Sequence, residues 1–148
     1  MSNSNMKGLK VYIAAPFFNE EQLDVVRKIE LLLESNGINF FSPRSEGILK
    51  DLNVEQRKLE MGRLFRSNVD HMDWCTHCVA VVDDYDTGTV WEMGYLYATH
   101  KKLITFSACY HGINVMLNES IVAHCITYES IIDGLKGIFE DTKTGDVT

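Results

Sequence analysis

The run Cys78-Val79-Ala80-Val81-Val82 leads directly into Asp83-Asp84-Tyr85-Asp86-Thr87-Gly88-Thr89-Val90-Trp91-Glu92-Met93-Gly94, and this stretch decides the fold class. Its first five residues are apolar without alternation, the pattern of a strand buried on both faces of a parallel sheet. From Thr89 to His100 the spacing predicts an amphipathic helix. A cluster of carboxylates therefore stands just past the C-terminal end of a strand, the edge where open α/β sheets bind ligands. Glu92 is the odd member, set between Trp91 and Met93 in a half-apolar environment. Gly94, two residues on, leaves room for a close approach. A carboxylate so placed suits a nucleophile or an acid/base group acting on a sugar. The plainer alternative is a solvated loop before a helix N-terminus, where acids are favoured anyway.

Outward from this stretch, strand and helix alternate. Lys10 to Ala15 reads as the first strand, ended by Pro16. Asn19 is an N-cap for a helix from Glu20 to about Asn36, with Leu23, Val26, Ile29, Leu32 and Leu33 at helical spacing and Gly37 as its stop. Ile38 to Phe41 is a short second strand, and residues 42–47 form a loop at another strand C-terminus. Val54 to Met72 reads as a long helix with Leu59, Leu64 and Phe65 on its inner side. Leu103 to Ser107 is a fourth strand, Ala123 to Ile126 a short fifth, and Tyr128 to Phe139 a closing helix. This alternation predicts a three-layer α/β domain with a five-stranded parallel sheet in the flavodoxin-like order 2-1-3-4-5. The domain spans residues 10–141, with residues 1–9 and 142–148 as flexible tails.

With 148 residues the chain suffices for one domain with a real core. The net charge of −7, with no cluster of Lys and Arg to offset it, disfavours non-specific binding to DNA or RNA. The apolar runs are strand-length, too short to cross a membrane, and the polar N-terminus lacks a signal-peptide pattern. The expected location is the cytoplasm, with free thiols. Cys75-Thr76-His77-Cys78 has the two-residue spacing of redox and zinc motifs. No second ligand pair stands at zinc-site spacing, and the motif ends a helix and opens a strand instead of the reverse. It reads as a turn with one buried thiol, and no metal is expected. Both glycine-rich phosphate loops, Gly-x-Gly-x-x-Gly and Gly-x-x-x-x-Gly-Lys, are absent. The first strand ends instead in Ala14-Ala15-Pro16-Phe17-Phe18, where Phe17 or Phe18 either stacks on a planar base or fills the core.

Five segments occur together in order: Val11 to Phe18, Phe41-Ser42-Pro43-Arg44, Asn68-Val69-Asp70, Asp86 to Gly94, and Ile113-Asn114-Val115-Met116. In this spacing, from about Lys10 to Glu129, the chain resembles the nucleoside 2-deoxyribosyltransferases. The resemblance implies exchange of the base on a 2′-deoxynucleoside in two displacements, with Glu92 as the nucleophile that carries the deoxyribosyl group. It implies that Tyr12 hydrogen-bonds and orients that carboxylate and that Asp70 hands the departing base a proton. Seen alone, Asp70 reads as a solvated helix-end charge. By the same carry-over Asp86 holds a sugar hydroxyl, with Gly88 beside it. Asn114 reaches into a neighbouring subunit's site, and Met116 lines the shared wall. Such a site needs a homo-oligomer, commonly a hexamer built from dimers. No cofactor is implied, because the donor nucleoside and the acceptor base are both substrates.

The loop leaves Asp84 as an alternative to Asp86, although Asp86 has the motif's spacing to Glu92. His111 reads as a surface residue or a contact to the base. Two rivals accompany the transferase reading, beside a weak third, a flavodoxin-like electron carrier, for which the first loop lacks the Ser/Thr/Gly-rich pattern expected around a flavin phosphate. One is a nucleotide N-glycosidase of the same superfamily, which uses water as acceptor and takes 5′-monophosphates; the Asp86 carboxylate opposes a dianionic phosphate. The other is a silent nucleoside-binding module. The sequence leaves open whether purines alone or both base classes are accepted, whether ribonucleosides are excluded, and how much hydrolysis competes.

Overall fold

The structure is a computed structural model that describes residues 6–47, 49, 51–109 and 112–138. His111 and the two outermost stretches of the chain lie outside the described residues.

Five strands, β1 (Lys10–Ala14), β2 (Asn39–Phe41), β3 (His77–Val81), β4 (Lys102–Phe106) and β5 (Ala123–Cys125), form one parallel sheet in the order β2-β1-β3-β4-β5. The crossovers are α1 (Glu20–Ser35), α2 (Val54–Trp74), α3 (Thr87–Ala98) and α4 (Val115–Ser120), and α5 (Tyr128–Lys136) closes the chain. Strand order and parallel pairing match the expectation. The α4 helix, only six residues long, is an addition: its segment has too few turns to show helical periodicity. Residues Pro43–Glu46, expected as loop, wind into a 3-10 turn.

Side chains alternate across the strands and divide the core in two. Val11, Ile13, Val79, Val81, Ile104 and Phe106 share one core with Ile29 and Leu33 of α1 and with Ile131 and Leu135 of α5; Met6 also packs there. Tyr12, Ala14, Phe41, Cys78, Ala80 and Leu103 share the other with Met72 of α2, Met93 and Leu96 of α3, and Leu117 of α4. In register, Tyr12 pairs with Phe41 on one side and Cys78 on the other, so it lies mid-sheet beside the point where the strand order reverses.

The helix ends follow local chemistry. The Asn19 side chain accepts from the Gln22 N–H at 2.8 Å, and Gly37 leaves α1 at φ +68°. Asn53 and Gln56 cap α2 reciprocally. The α3 helix starts and stops earlier than expected. Asp86 caps it, and His100, expected to be its last residue, instead adopts a left-handed φ of +67°.

Two expectations need correction. Leu59 and Phe65 of α2 do not face the core: they are 77% and 56% exposed, and Leu64 is half-buried. Met72 is the only buried residue of the helix, and among the described residues its N-terminal half contributes to neither core. The turn at Cys75–Cys78 holds two buried thiols, not one. Burial pushes Cys75 up to about 11 and Cys78 well above its ordinary value, which keeps both as inert thiols at neutral pH.

Candidate active site

Glu92 sits in the second turn of α3, on the side that packs over the sheet face bearing Tyr12. The Tyr12 hydroxyl, from a side chain with no solvent exposure, donates a short hydrogen bond to Glu92 Oε2. A strand residue thus holds a helix carboxylate from below. Burial raises Glu92 to about 7. The Tyr12 hydrogen bond pulls it back down, and the nearby Asp86 charge adds a smaller upward push. Tyr12 itself is pushed far above its usual value, by burial first and by Glu92 second, so the phenol stays a donor. Near neutral pH the carboxylate is therefore poised between charged and neutral forms, a state that environments at catalytic sites commonly produce.

Beside Glu92 lies a cavity of about 290 Å³ lined by Phe65, Asn68, Val69, Met72, Gly88, Trp91 and Glu92. Its α2 wall comes from residues at i, i+3, i+4 and i+7, one face of the helix. Trp91, half-exposed at the rim, meets Phe65 edge-on at 5.7 Å and stacks on Tyr95 at 5.8 Å. At the end of β2, Phe41 stacks on His71 at 3.5 Å and lies 5.8 Å from Tyr12.

The acidic loop divides its tasks. Asp83 accepts from the Ser107 hydroxyl at 2.6 Å and from the amides of Ala108 and Cys109 at 2.9 and 3.0 Å, pinning the β4 exit to the β3 exit. Asp84 accepts from the Gln22 side chain at 2.9 Å, on the α1 side. Asp86 is the loop acid whose charge reaches Glu92. Its Oδ2 accepts from Thr89 N–H at 2.9 Å and from the Thr89 hydroxyl at 3.1 Å. Gly88 earns its place by space: a Cβ there would stand 3.2 Å from Asp86 Oδ2. Tyr85, at a left-handed φ of +46°, donates to the Gly112 carbonyl at 2.5 Å and ties this loop to the segment before α4.

Of the residues singled out in the sequence, Tyr12, Glu92, Asp86 and Gly88 come together. Phe17 and Phe18 stack on each other at 5.9 Å near the first strand's end, with Phe18 77% exposed, and neither lines the Glu92 cavity. Asp70 is exposed on α2 outside that lining, and its charge is felt by Tyr95. Asn114 caps α4 by accepting from the Met116 N–H at 2.8 Å, and Met116 is 75% exposed. Met116 lines a separate apolar groove with Val90, Gly94, Tyr97, Val115 and Leu117, on the other side of α3 from the cavity. Gly94 belongs to that groove: a Cβ on it would meet nothing within 4 Å, so the close approach expected there does not occur among the described residues. Sequence reasoning passed over Asn68, Val69 and Met72 as cavity residues. Their spacing with Phe65 was the available signal. Among the described residues, no group of three or more His, Cys, Asp or Glu is arranged to hold a metal ion. No helix among them is long and apolar enough to cross a membrane.

The chain can now be set beside known proteins. No curated protein matches it significantly in sequence. Among solved structures, it is similar to a 2-deoxyribosyltransferase from the psychrotolerant bacterium Bacillus psychrosaccharolyticus, at 33% identity over 82% of this chain and 89% of that one, with a TM-score of 0.73. A conserved protein from Enterococcus faecalis matches at 16% identity over 88% and 99% of the two chains, with a TM-score of 0.66. A CMP N-glycosidase from Clostridium botulinum matches at 16% identity over 85% and 97%, with a TM-score of 0.58. These last two share the fold alone. The family model for nucleoside 2-deoxyribosyltransferase matches residues 11–123, which include both members of the Tyr12–Glu92 pair and the whole acidic loop. On the length of that match and on the 33% identity, the chain belongs to the nucleoside 2-deoxyribosyltransferase family.

Proposed function

We propose that this chain exchanges the nucleobase of 2′-deoxynucleosides through a covalent ester between the deoxyribosyl C1′ and Glu92. The observation that carries the reading is the Tyr12–Glu92 hydrogen bond at the edge of a largely apolar cavity. A binding module needs no half-buried carboxylate held by a buried phenol, whereas a nucleophile does. Glu92 attacks C1′ as the bond to the departing base breaks, and the electron pair leaves with the base, which then takes up a proton. A second base attacks C1′ from the vacated face, gives up its ring N–H proton and releases the carboxylate, so two inversions retain the β configuration. The lack of a 2′-hydroxyl makes the oxocarbenium-like transition state easier to reach. The part of proton donor, given to Asp70 by resemblance, draws no support from the geometry, because Asp70 stands exposed outside the cavity.

Nucleosides are favoured over nucleotides for a local reason. A helix N-terminus is a natural seat for phosphate. At α3 that seat is already taken by the Asp86 carboxylate, which holds Thr89 N–H and brings its own negative charge. The site also calls for a second copy of the chain. Asn114 and Met116 stand across α3 from Glu92, beside exposed Val90, Tyr97 and Val115, an apolar belt suited to a neighbouring subunit.

Incubation with thymidine or deoxyinosine, with and without adenine, tests the activity by chromatography. Deoxyadenosine is expected only when adenine is present, with a rate that rises as pH passes through about 7 because attack needs the ionised carboxylate. Glu92→Ala is expected to lower turnover at least about 10³-fold. Free base and deoxyribose as the sole products would make the chain a hydrolase. Full turnover by Glu92→Ala would remove the nucleophile assignment.

A further inference from the structure

We propose that Tyr85 is a positioning residue that acts on the neighbouring subunit's site: through its hydrogen bond to Gly112 it sets the segment that delivers Asn114 across the interface. This rests on the deoxyribosyl-transfer reading above, in which Glu92 serves its own chain and Asn114 the next.

Consecutive residues of the β3–α3 loop tie to different elements. Asp83 holds the amides of Ala108 and Cys109 past β4, Asp84 holds Gln22 of α1, and Asp86 caps α3. Tyr85 crosses to the segment before α4, where its hydroxyl donates to the Gly112 carbonyl at 2.5 Å. The backbone at Tyr85 is left-handed, at φ +46°, a conformation costly for a bulky aromatic residue and easy for glycine. Strain of this kind persists where the residue has a task, and it clusters at functional sites. The ring is 40% exposed and belongs to neither core. What a tyrosine adds at this turn, and glycine lacks, is a hydroxyl that reaches Gly112.

Gly112 stands two positions before Asn114, with Ile113 between them. The segment is fixed at two successive residues: Gly112 by the Tyr85 hydroxyl, and Ile113 by burial in the core that also holds Tyr12 and Met93. Asn114 follows at once, and its Oδ1 is committed to the Met116 N–H at 2.8 Å, which leaves the amide nitrogen as the donor end. Loss of the Tyr85 hydroxyl releases Gly112 while Ile113 keeps α4 docked. Asn114 then shifts without loss of the fold, and a misplacement of about 1 Å in a substrate-positioning group lowers rates by up to about 10²-fold. Asp86 stays held by the Thr89 N–H and hydroxyl, so the chain that loses the Tyr85 hydroxyl keeps its own Glu92 surroundings. The defect therefore falls on the neighbour's site.

The test is rescue in trans. Tyr85→Phe deletes one oxygen, and its kcat/KM for thymidine, with adenine as acceptor, is expected to fall at least about fivefold. The variant is then co-expressed with an excess of Glu92→Ala chains, which carry Tyr85 and Asn114 but no nucleophile, and mixed oligomers are captured through a tag on the Tyr85→Phe chain. In them kcat/KM per Tyr85→Phe chain is expected to return to within about twofold of the wild type. A merely structural role gives no rescue, because the defect then stays in the chain that carries it. The double variant Tyr85→Phe/Asn114→Ala is expected to lose no more than Asn114→Ala alone, within about twofold, because the first change acts through the second residue. Should Tyr85→Phe not fold, Tyr85→Asn takes its place: asparagine tolerates the left-handed φ and lacks the reach. A loss under about twofold, an absence of rescue, or losses that multiply in the double variant overturns the proposal while base exchange itself stands. If the wild type exchanges no base, the transferase reading fails separately, and calorimetric titration of thymidine decides this one. Binding weakened at least about fivefold by Tyr85→Phe, and no further by adding Asn114→Ala, upholds it; unchanged or absent binding, or losses that multiply, overturns it.

Discussion

Under α1 and α5 the sheet presents Val11, Ile13, Val79, Ile104 and Phe106 to a closed aliphatic core. Under α2, α3 and α4 the same strands present Tyr12, Cys78 and Leu103 to a core that ends in an open cavity, with Phe65, Trp91 and Met116 left exposed along its helices. The period-2 alternation of the strands is what separates these two environments, one residue apart in sequence. The first face carries stability with no chemistry attached. The second gives up packing to hold a phenol–carboxylate pair at the boundary between core and solvent, where the carboxylate's charge state becomes sensitive to pH.

The comparison breaks most visibly on the closed face. Leu33 is fully buried there, so Leu33→Ala is expected to cost about 2–5 kcal/mol in urea unfolding. The base-exchange rate of the fraction that remains folded should stay near that of the wild type. A large fall in that rate would mean the two faces are not independent.

A middle-sized effect is expected at Glu92, with a definite sign. Its folded value, about 7, lies above the ordinary 4.5. The stability associated with its proton is therefore fully present below about pH 4.5 and is lost as pH rises through about 7, because the folded chain must then bury a charge that the unfolded chain exposes. Glu92→Gln removes that charge and retains an acceptor for Tyr12. It should match the wild type in stability near pH 4.5 and exceed it by about 1–3 kcal/mol above pH 8. Denaturant midpoints at the two pH values read this directly, and an equal difference at both would mean that charge burial is not the cause.

The smallest effect on folding, and a large one on assembly, is expected at Met116. This side chain is exposed in the single chain, so Met116→Asp should shift unfolding by less than about 0.5 kcal/mol. If the apolar belt on α3 and α4 is covered by a second copy, the wild type should sediment as a multiple of 16.9 kDa, and the variant should move toward that mass with a fall in exchange rate. A wild type already at 16.9 kDa would remove the second copy from the site.

The strands were the most legible elements, because apolar runs of five residues bounded by turn signals have few other readings. The start of α1 was nearly as legible, because Asn19 caps it; the start of α3 was read two residues late, at Thr89, because Asp86 in a run of acids does not stand out as a cap. The α4 helix was not: six residues capped by Asn114 show too little periodicity to stand out. The inner side of α2 was misassigned for a related reason. Leu59, Leu64 and Phe65 mark an apolar stripe, but a stripe does not state whether its partner is the same chain's core, a ligand or another surface. For the site, the spacing of Asp86 and Glu92 was visible along one segment. Asp70 entered through the resemblance alone; which of Asn68, Val69 and Asp70 borders the cavity turns on which side of α2 faces α3, and the motif Asn68-Val69-Asp70 does not carry that information.

Sequence by itself determined the strand–helix order, the parallel sheet that follows from it, and the family resemblance, because hydrophobic period, capping residues and motif spacing are local properties of the chain. Only the tertiary structure decided that Tyr12 meets Glu92 across 80 residues, that burial lifts this carboxylate toward neutrality, and that Asn68 rather than Asp70 borders it. Those outcomes depend on how α2 and α3 rotate about their axes when they settle on the sheet. That rotation is set by the packing of the whole face, not by any one segment.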